Sequence, residues 1–286
     1  MCDLSVIIVN YNTASFIKRC LNALSAQEDV NLKVIVVDNA SNDNGLEVVR
    51  NGFPRVELIA NKQNLGFARG NNQVLKFCKS EYIYFLNPDT EVQQGALAAM
   101  IRFMDAHPEV GLGGTRVVNP DGSPQSSVET RYPGQKYARE ELKGLEGDIA
   151  WVLGASMIAR AGLIEDLGGF DERFLLYGEE QDLCLRIRKA GWTIGHIPEA
   201  IVIHWGGQSE RDNLPGEIWK KKFEAELVFY RKHYTKRTIR AIRRANVVQA
   251  LWRLVTLRLT FPFSANREGC VKKLEKYRVA LKTFGP

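Results

Sequence analysis

The stretch Tyr82-Ile83-Tyr84-Phe85-Leu86-Asn87-Pro88-Asp89-Thr90-Glu91 joins an apolar run without a break to a turn and two carboxylates. Five consecutive apolar or aromatic residues read as a strand buried on both faces, the signature of a parallel sheet covered by helices. A carboxylate at the carboxyl end of such a strand needs a counter-charge, and open α/β sheets place their ligand crevice at those ends. Residues 34–37 repeat the pattern, ending in Asp38-Asn39-Ala40-Ser41 about fifty residues earlier. Two such ends can line one crevice.

Working outward, apolar runs at 4–9, 32–37, 56–59 and 81–86 alternate with helix-like segments near 14–26, 45–51, 66–78 and 93–106. This is the βα alternation of a mainly parallel sheet, and right-handed crossovers put the strand ends on one edge. Beyond Pro108 the reading is a strand at 110–118, a turn at 119–122, a polar excursion at 123–147, a strand at 156–159, a helix over 182–190 closed by Gly191, and strands at 193–197 and 201–203.

Composition bounds the class. The 286 residues are 45% hydrophobic and 25% charged, ordinary for a globular chain. No run of 18 apolar residues occurs and the chain opens directly into a strand, so neither a membrane span nor a signal peptide is expected. Five scattered cysteines without a C-x-x-C pair suit a reducing cytoplasm. The net charge of +6 is uneven: residues 1–215 hold 21 Lys/Arg against 28 Asp/Glu, and residues 216–286 hold 18 against 5. A C-terminal segment with a net charge of +13 predicts an anionic partner or a solvated helical face. There Val247, Leu251, Leu254 and Val255 recur at helical spacing beside Trp252, among Arg240, Arg243, Arg244, Arg253 and Arg258. The spacing predicts an amphipathic helix lying on an anionic membrane surface, or packing on the catalytic domain or a second subunit as in a homodimer.

Several nucleotide sites are excluded by pattern. Val9 is followed by Asn10-Tyr11-Asn12, so no G-x-G-x-x-G follows the first strand; neither G-x-x-x-x-G-K-[ST] nor G-x-S-x-G occurs.

Five ordered blocks remain: residues 5–12 (SVIIVNYN), 37–43 (VDNASND), 64–72 (NLGFARGNN), 85–90 (FLNPDT) and 168–183 (GGFDERFLLYGEEQDL). In this order and spacing they resemble the family 2 inverting glycosyltransferases of the GT-A fold, and within them the rhamnosyltransferase-like branch, over about residues 4–235. The resemblance implies an α/β catalytic domain over 1–215, with a nucleotide-sugar half to about 107 and an acceptor half from 108, followed by a basic helical extension over 216–286. It implies that Asp89, last in a D-x-D-like motif, binds a divalent cation, Mg2+ or Mn2+, that bridges the donor diphosphate. Asn87 stands where Asp is usual and can still bond a ribose hydroxyl. Asp38, Asn39, Tyr11 and Val9 correspond to the base-recognition end of the sheet, and Arg69 faces phosphate. In the Gly178-Glu179-Glu180-Gln181-Asp182 block, Glu180 takes the place of the catalytic base, with Glu179 and Asp182 on the acceptor side together with Trp151. Asp182 is also spaced to pair with Arg186. His204, before Gly206-Gly207, is implied as a second metal ligand under a glycine-hinged lid.

Each residue also has a plainer reading. Asp89 can cap a helix beginning near Glu91, Asp38 can cap a turn, Arg69 can be a solvated helix residue, and the acidic block can be a helix N-terminus. His204 and Trp151 can be packing residues. The implied reaction is a single displacement at the anomeric carbon, moving rhamnose from dTDP-rhamnose, or a UDP-sugar such as UDP-galactofuranose, to a glycan or lipid-linked glycan in cell-surface polysaccharide synthesis. The implied setting is cytoplasmic, peripheral at the inner face of the cell membrane, with no nucleic acid partner. A nucleotide-sugar-binding subunit without activity is the rival.

Overall fold

The structure is a computed structural model that describes residues 3–208, 213–263 and 266–285. In chain order its elements are β1 (Leu4–Asn10), α1 (Ala14–Ser25), β2 (Leu32–Asp38), α2 (Gly45–Gly52), β3 (Glu57–Ala60), α3 (Gly66–Leu75), β4 (Tyr82–Leu86), β5 (Thr90–Val92), α4 (Ala96–Ala106), β6 (Val110–Val118), β7 (Val128–Glu129), β8 (Trp151–Val152), β9 (Ser156–Arg160), α5 (Ala161–Asp166), α6 (Glu179–Lys189), β10 (Thr193–His204), α7 (Pro215–His233), α8 (Lys236–Thr260) and α9 (Arg267–Phe284).

Eight strands form one sheet in the order β3-β2-β1-β4-β9-β6-β10-β5. Six run in one direction, while β9 and β5 pair antiparallel with their neighbours. All seven residues of β1 are buried because alternate side chains enter two different cores. Leu4, Val6 and Ile8 pack with α1 and α4; Ile7 and Val9 pack with α3, α5 and α6.

Three expectations need correction. The segment after Asp89 is not the start of a helix: Thr90–Val92 is strand β5, and α4 begins only at Ala96. Asp89 is therefore no helix cap. Residues 193–197 and 201–203 are one strand, β10, whose pairing with β6 slips between Ile197 and Ile201. Pro198 lies in that bulge, where its missing N–H costs the ladder nothing. Helix α6 also starts earlier than the spacing predicts, at Glu179, so the acidic pair sits in its first turn.

The chain divides into two compact units, one of Met1–Tyr132, Leu145–Leu175 and Glu179–Ser209, the other of Pro133–Gly144, Leu176–Gly178 and Glu210–Pro286. The first contains the sheet. In the second, α9 packs on α7 and α8. Phe223 of α7 meets the Phe284 ring of α9 at 5.3 Å, and Tyr234 Oη donates to the Pro133 carbonyl at 2.7 Å.

Candidate active site

The strand-end carboxylate is built by the turn that follows β4. Asn87 N–H donates to the Ala155 carbonyl at 2.9 Å, extending the β4–β9 ladder by one step. Thr90 Oγ1 then donates back to the Asn87 carbonyl at 2.7 Å, and Pro88 fixes the backbone between. Asp89 is left 5% exposed at the edge. Its companion comes from far along the chain: β5 pairs antiparallel with the end of β10, opposing Thr90 to His204. That register brings His204 Nε2 to 3.5 Å from Asp89 Oδ1.

The tautomer of His204 follows from its other neighbour. Gln125 Nε2 donates to Asn119 Oδ1 at 2.6 Å and to the His204 carbonyl at 2.8 Å, which fixes the amide orientation. Gln125 Oε1 then faces His204 Nδ1 at 3.0 Å, so Nδ1 carries the hydrogen. In the neutral ring, Nε2 presents a lone pair toward a carboxylate. Two acceptors facing one another suit a cation held by both, with Gln125 as the outer partner that orients the imidazole. Among the described residues no group of three or more His, Cys, Asp or Glu could hold a metal. The donor set fits a divalent cation bound to a diphosphate.

The segment after His204 turns back over this edge. Trp205 N–H donates to the Asp89 carbonyl at 3.0 Å, its Nε1 donates to Glu91 Oε1 at 3.1 Å, and Gln208 N–H lies 3.5 Å from Asp89 Oδ2. Gly206 and Gly207 take φ of 61° and 66°, left-handed conformations that glycine adopts freely. The rest of the expected lid, Ser209–Asp212, lies outside the described residues.

The ends of β1 and β2 are stitched together. Asp38, 2% exposed, accepts Asn10 Nδ2 at 2.8 Å, Ser41 N–H at 3.0 Å and Ser41 Oγ at 2.7 Å. Asn39 donates to the Gly66 carbonyl at 3.1 Å and accepts Asn61 Nδ2 at 2.8 Å. Both side chains thus hold the turn, the plainer of the two roles open to Asp38. Gly70 of α3 packs against Val9 so closely that a Cβ there would stand 2.9 Å from its Cγ1. Tyr11 is half-buried beyond the end of β1. Arg69 is half exposed, with Nε on Glu172 Oε2 at 3.1 Å. Asn87 is half-buried, and its side-chain amide makes no hydrogen bond among the described residues.

Glu179 and Glu180 are 6% and 8% exposed, side by side at the start of α6. Tyr177 and Gly178 precede them with φ of 71° and 83°. The Glu180 side chain packs against Gly154, where a Cβ would meet its Cβ, Cγ and Cδ at 3.6, 3.8 and 3.9 Å. Gly154 adjoins Ala155, the residue that receives the Asn87 N–H, so Glu180 stands one short step from the Asn87-Pro88-Asp89 turn. Glu179 Oε2 is buried with no hydrogen-bond partner. Burial first, and the charge of Glu180 second, push its carboxyl well above the usual range.

That shift has a stability consequence. Below about pH 4.5 Glu179 is protonated whether the chain is folded or unfolded, but above it only the unfolded chain gives up the proton. Stability therefore falls as pH rises from there to the folded pKa. Glu179→Gln should abolish this slope, so that urea melts show the variant gaining on the parent between pH 5 and 8. An unchanged slope would place the buried proton elsewhere.

Asp182 is fully buried, and Arg186 binds it at 2.8 Å. Arg186 also donates to the carbonyls of Leu167 and Gly169 at 3.0 and 2.7 Å, tying α6 to the Gly168-Gly169 turn. Phe170 after that turn exchanges two 2.8 Å bonds with Asn72 of α3. Trp151 of β8 is half-buried, its Nε1 donating to the Arg131 carbonyl at 3.0 Å. The sequence reading missed Gln125, Gly154 and Glu172. Gln125 lies in a polar stretch with no pattern, and a glycine's role beside a carboxylate has no signal in one sequence.

The N-acetylglucosaminyl-diphospho-decaprenol L-rhamnosyltransferase of Mycobacterium tuberculosis is 26% identical over 231 residues, 70% of this chain and 75% of that protein. The pre-mycofactocin glycosyltransferase of the same organism is 29% identical over 229 residues, 77% of this chain and 46% of that one. Among solved structures, the mannosyltransferase PcManGT from Pyrobaculum calidifontis, in complex with GDP-Man and Mn2+, aligns with a TM-score of 0.64 at 18% identity, over 100% of this chain and 89% of that chain. Staphylococcus aureus TarS 1-349 in complex with UDP-GlcNAc aligns with a TM-score of 0.57 at 19% identity, over 98% and 79%. The α/β fold is thus GT-A-like, with C-terminal helices. The Glycosyl transferase family 2 model matches residues 5–167, more than half of the sequence, and the chain belongs to that family.

Proposed function

We propose that this glycosyltransferase moves a sugar from a dTDP- or UDP-sugar to a hydroxyl of a lipid-linked glycan, with inversion, and that rhamnose from dTDP-rhamnose is the sugar. The observation that carries the reading is the pair Asp89–His204 at 3.5 Å on the edge to which Glu180 is joined through Gly154 and Ala155. The lipid-linked acceptor and the rhamnose are supported by the activity of the M. tuberculosis relative.

Asp89 and His204 would hold a divalent cation, and the imidazole nitrogen would favour Mn2+ over Mg2+. The chemistry such a cation would supply there is neutralisation of charge on the departing diphosphate. Asn87 bonds a ribose hydroxyl with its spare amide. Val9, Tyr11, Asp38 and Asn39 form the wall for the base, with the rigid Asp38 turn setting its shape. Arg69 exchanges Glu172 for a phosphate oxygen when donor binds. At the reacting centre a bond forms between the acceptor oxygen and the anomeric carbon as the bond to the diphosphate oxygen breaks. The hydroxyl proton passes to Glu180. Glu179, kept protonated, donates to the acceptor side. Asp182 holds α6 in place through Arg186, and Trp151 walls the acceptor cleft.

The test is nucleotide release by the purified chain with Mn2+, offered dTDP-rhamnose and UDP-galactofuranose in parallel, with and without a polyprenyl-diphosphate-linked glycan. Metal-dependent release of dTDP, accelerated by the acceptor, is the expected result. UDP release alone would replace the donor, and no release above buffer would leave a nucleotide-sugar-binding subunit.

A further inference from the structure

Helix α8 turns two faces outward from its axis that the sequence pattern alone does not separate. Thr238, Ile242, Ala250 and Leu254 are its buried residues. The expected stripe of Val247, Leu251, Leu254 and Val255 is therefore corrected: Leu254 faces inward and Val247 is only half exposed. The outward stripe is Val248, Leu251, Trp252, Val255 and Leu259, exposed by 66%, 49%, 56%, 57% and 70%. These positions recur at i, i+3, i+4, i+7 and i+11, on the side of the helix opposite Ala250 and Leu254.

The charge carried by this helix has one sign. The 25 residues of α8 contain no Asp or Glu. Arg237, Arg240, Arg244, Arg253 and Arg258 make no ion pair with a carboxylate among the described residues. Arg253 lies over the Trp252 ring at 4.5 Å, and Arg244 with Lys136 and Tyr137 rims the shallow cavity beside Val248 and Trp252. No helix among the described residues is long and apolar enough to cross a membrane. An exposed apolar stripe with Trp, flanked by unpaired arginines and no acids, matches a helix that lies in the headgroup layer of an anionic bilayer.

We propose that the outward face of α8 docks the enzyme on anionic lipid, Val248, Leu251, Trp252, Val255 and Leu259 entering the interface while the arginines bind headgroup phosphates. The proposal deepens the lipid-linked acceptor reading and rests on it for the purpose of the surface. A second copy of the chain would face the same arginines across the interface, and nucleic acid would leave the apolar stripe uncovered; charge and apolarity together favour lipid.

Full-length protein is co-sedimented with phosphatidylcholine vesicles, with and without phosphatidylglycerol, at low and high salt. Binding should require the anionic lipid and weaken at least about tenfold at high salt. Leu251→Glu/Val255→Glu, both at exposed positions, should keep the circular dichroism and thermal midpoint of the parent but lose at least about tenfold in vesicle partition. Trp252→Phe should remove most of the blue shift in emission seen on binding. No binding by the parent, equal binding by the double variant, or equal binding to neutral vesicles overturns the proposal. So does light scattering that shows a dimer made monomeric by Leu251→Glu/Val255→Glu without any vesicle binding. Nucleotide release from a soluble donor is read separately: its loss with docking intact removes the transferase reading and keeps this one, and the converse removes only the docking face.

Discussion

Glu180→Gln should lower turnover by roughly 10²-fold or more and leave Mn2+-dependent nucleotide affinity within a few fold of the parent. The substitution keeps the side chain's shape against Gly154 and removes only its ability to take a proton. Single-turnover transfer gives the rate, and calorimetric titration of dTDP or UDP gives the affinity. The assignment turns on distinguishing two adjacent buried carboxyls. Like charges so close do not ionise together, and Glu179, with an orphan oxygen and its carboxyl pushed up by burial, keeps the proton. On the proposed reading Glu180 is the carboxyl that accepts one. Glu179→Gln should accordingly cost much less in turnover than Glu180→Gln. The reverse order would move the base by one residue. Asp182→Asn tests a different link, since it strands the Arg186 guanidinium that ties α6 to Leu167 and Gly169. Its loss belongs in stability, at about 3–5 kcal/mol for breaking a buried pair from one side.

The sheet was legible because its strands carry their own signal. Residues 82–86 and 34–37 are apolar on both faces, and both lie where continuous runs predict them. Strand β5 was not legible: Thr90-Glu91-Val92 is too short to show a period, and its partner among the described residues is β10, more than a hundred residues later. That hidden pairing is what brings His204 to Asp89, so the sequence could propose each residue at its strand end but could not pair them by spacing. Gln125 shows a further limit. Its value is the orientation it imposes on one imidazole ring, which depends on Asn119 and the His204 carbonyl being in place.

Helix α8 shows a limit of another kind. Its amphipathic spacing was readable, but a period of 3.6 fixes only which residues share a face, not which face another element covers. Leu254 and Trp252 differ by two positions, and one is 8% exposed while the other is 56% exposed. The difference is made by packing within the helical unit, where α9 lies against α8. Asp38 poses the same problem in polar form. A strand-end carboxylate is visible in the sequence, yet three hydrogen bonds from Asn10 and Ser41 decide that it shapes the turn.

Asp89→Ala should abolish the increment in dTDP or UDP affinity that Mn2+ confers, while the protein melts at or slightly above the parent's temperature. The first half follows from the ligand count. With Asp89 and His204 the two ligands proposed among the described residues, removing the carboxylate would leave a lone imidazole, too little to hold a hard dication on a diphosphate. The second half follows from what the carboxylate does for the fold, which is little. The polar atoms His204 Nε2 and Gln208 N–H are each 3.5 Å from it, and the Asn87–Thr90 and Asp89–Trp205 bonds that hold the turn use backbone carbonyls that alanine retains. Deleting a 5%-exposed charge with no close partner also removes its desolvation cost. Gln125→Leu serves as the graded control. It leaves the metal-facing atoms in place and removes the acceptor of His204 Nδ1–H, so metal-linked affinity should fall by about 10- to 100-fold, as for other outer partners of metal ligands. Titrations of dTDP and UDP with Mn2+ and with EDTA read both variants. If Asp89→Ala keeps the full Mn2+ increment, the cation is held elsewhere and the pairing of β5 with β10 serves the fold alone; if Gln125→Leu matches the parent while Asp89→Ala fails, His204 is a bystander and Asp89 binds the cation without it.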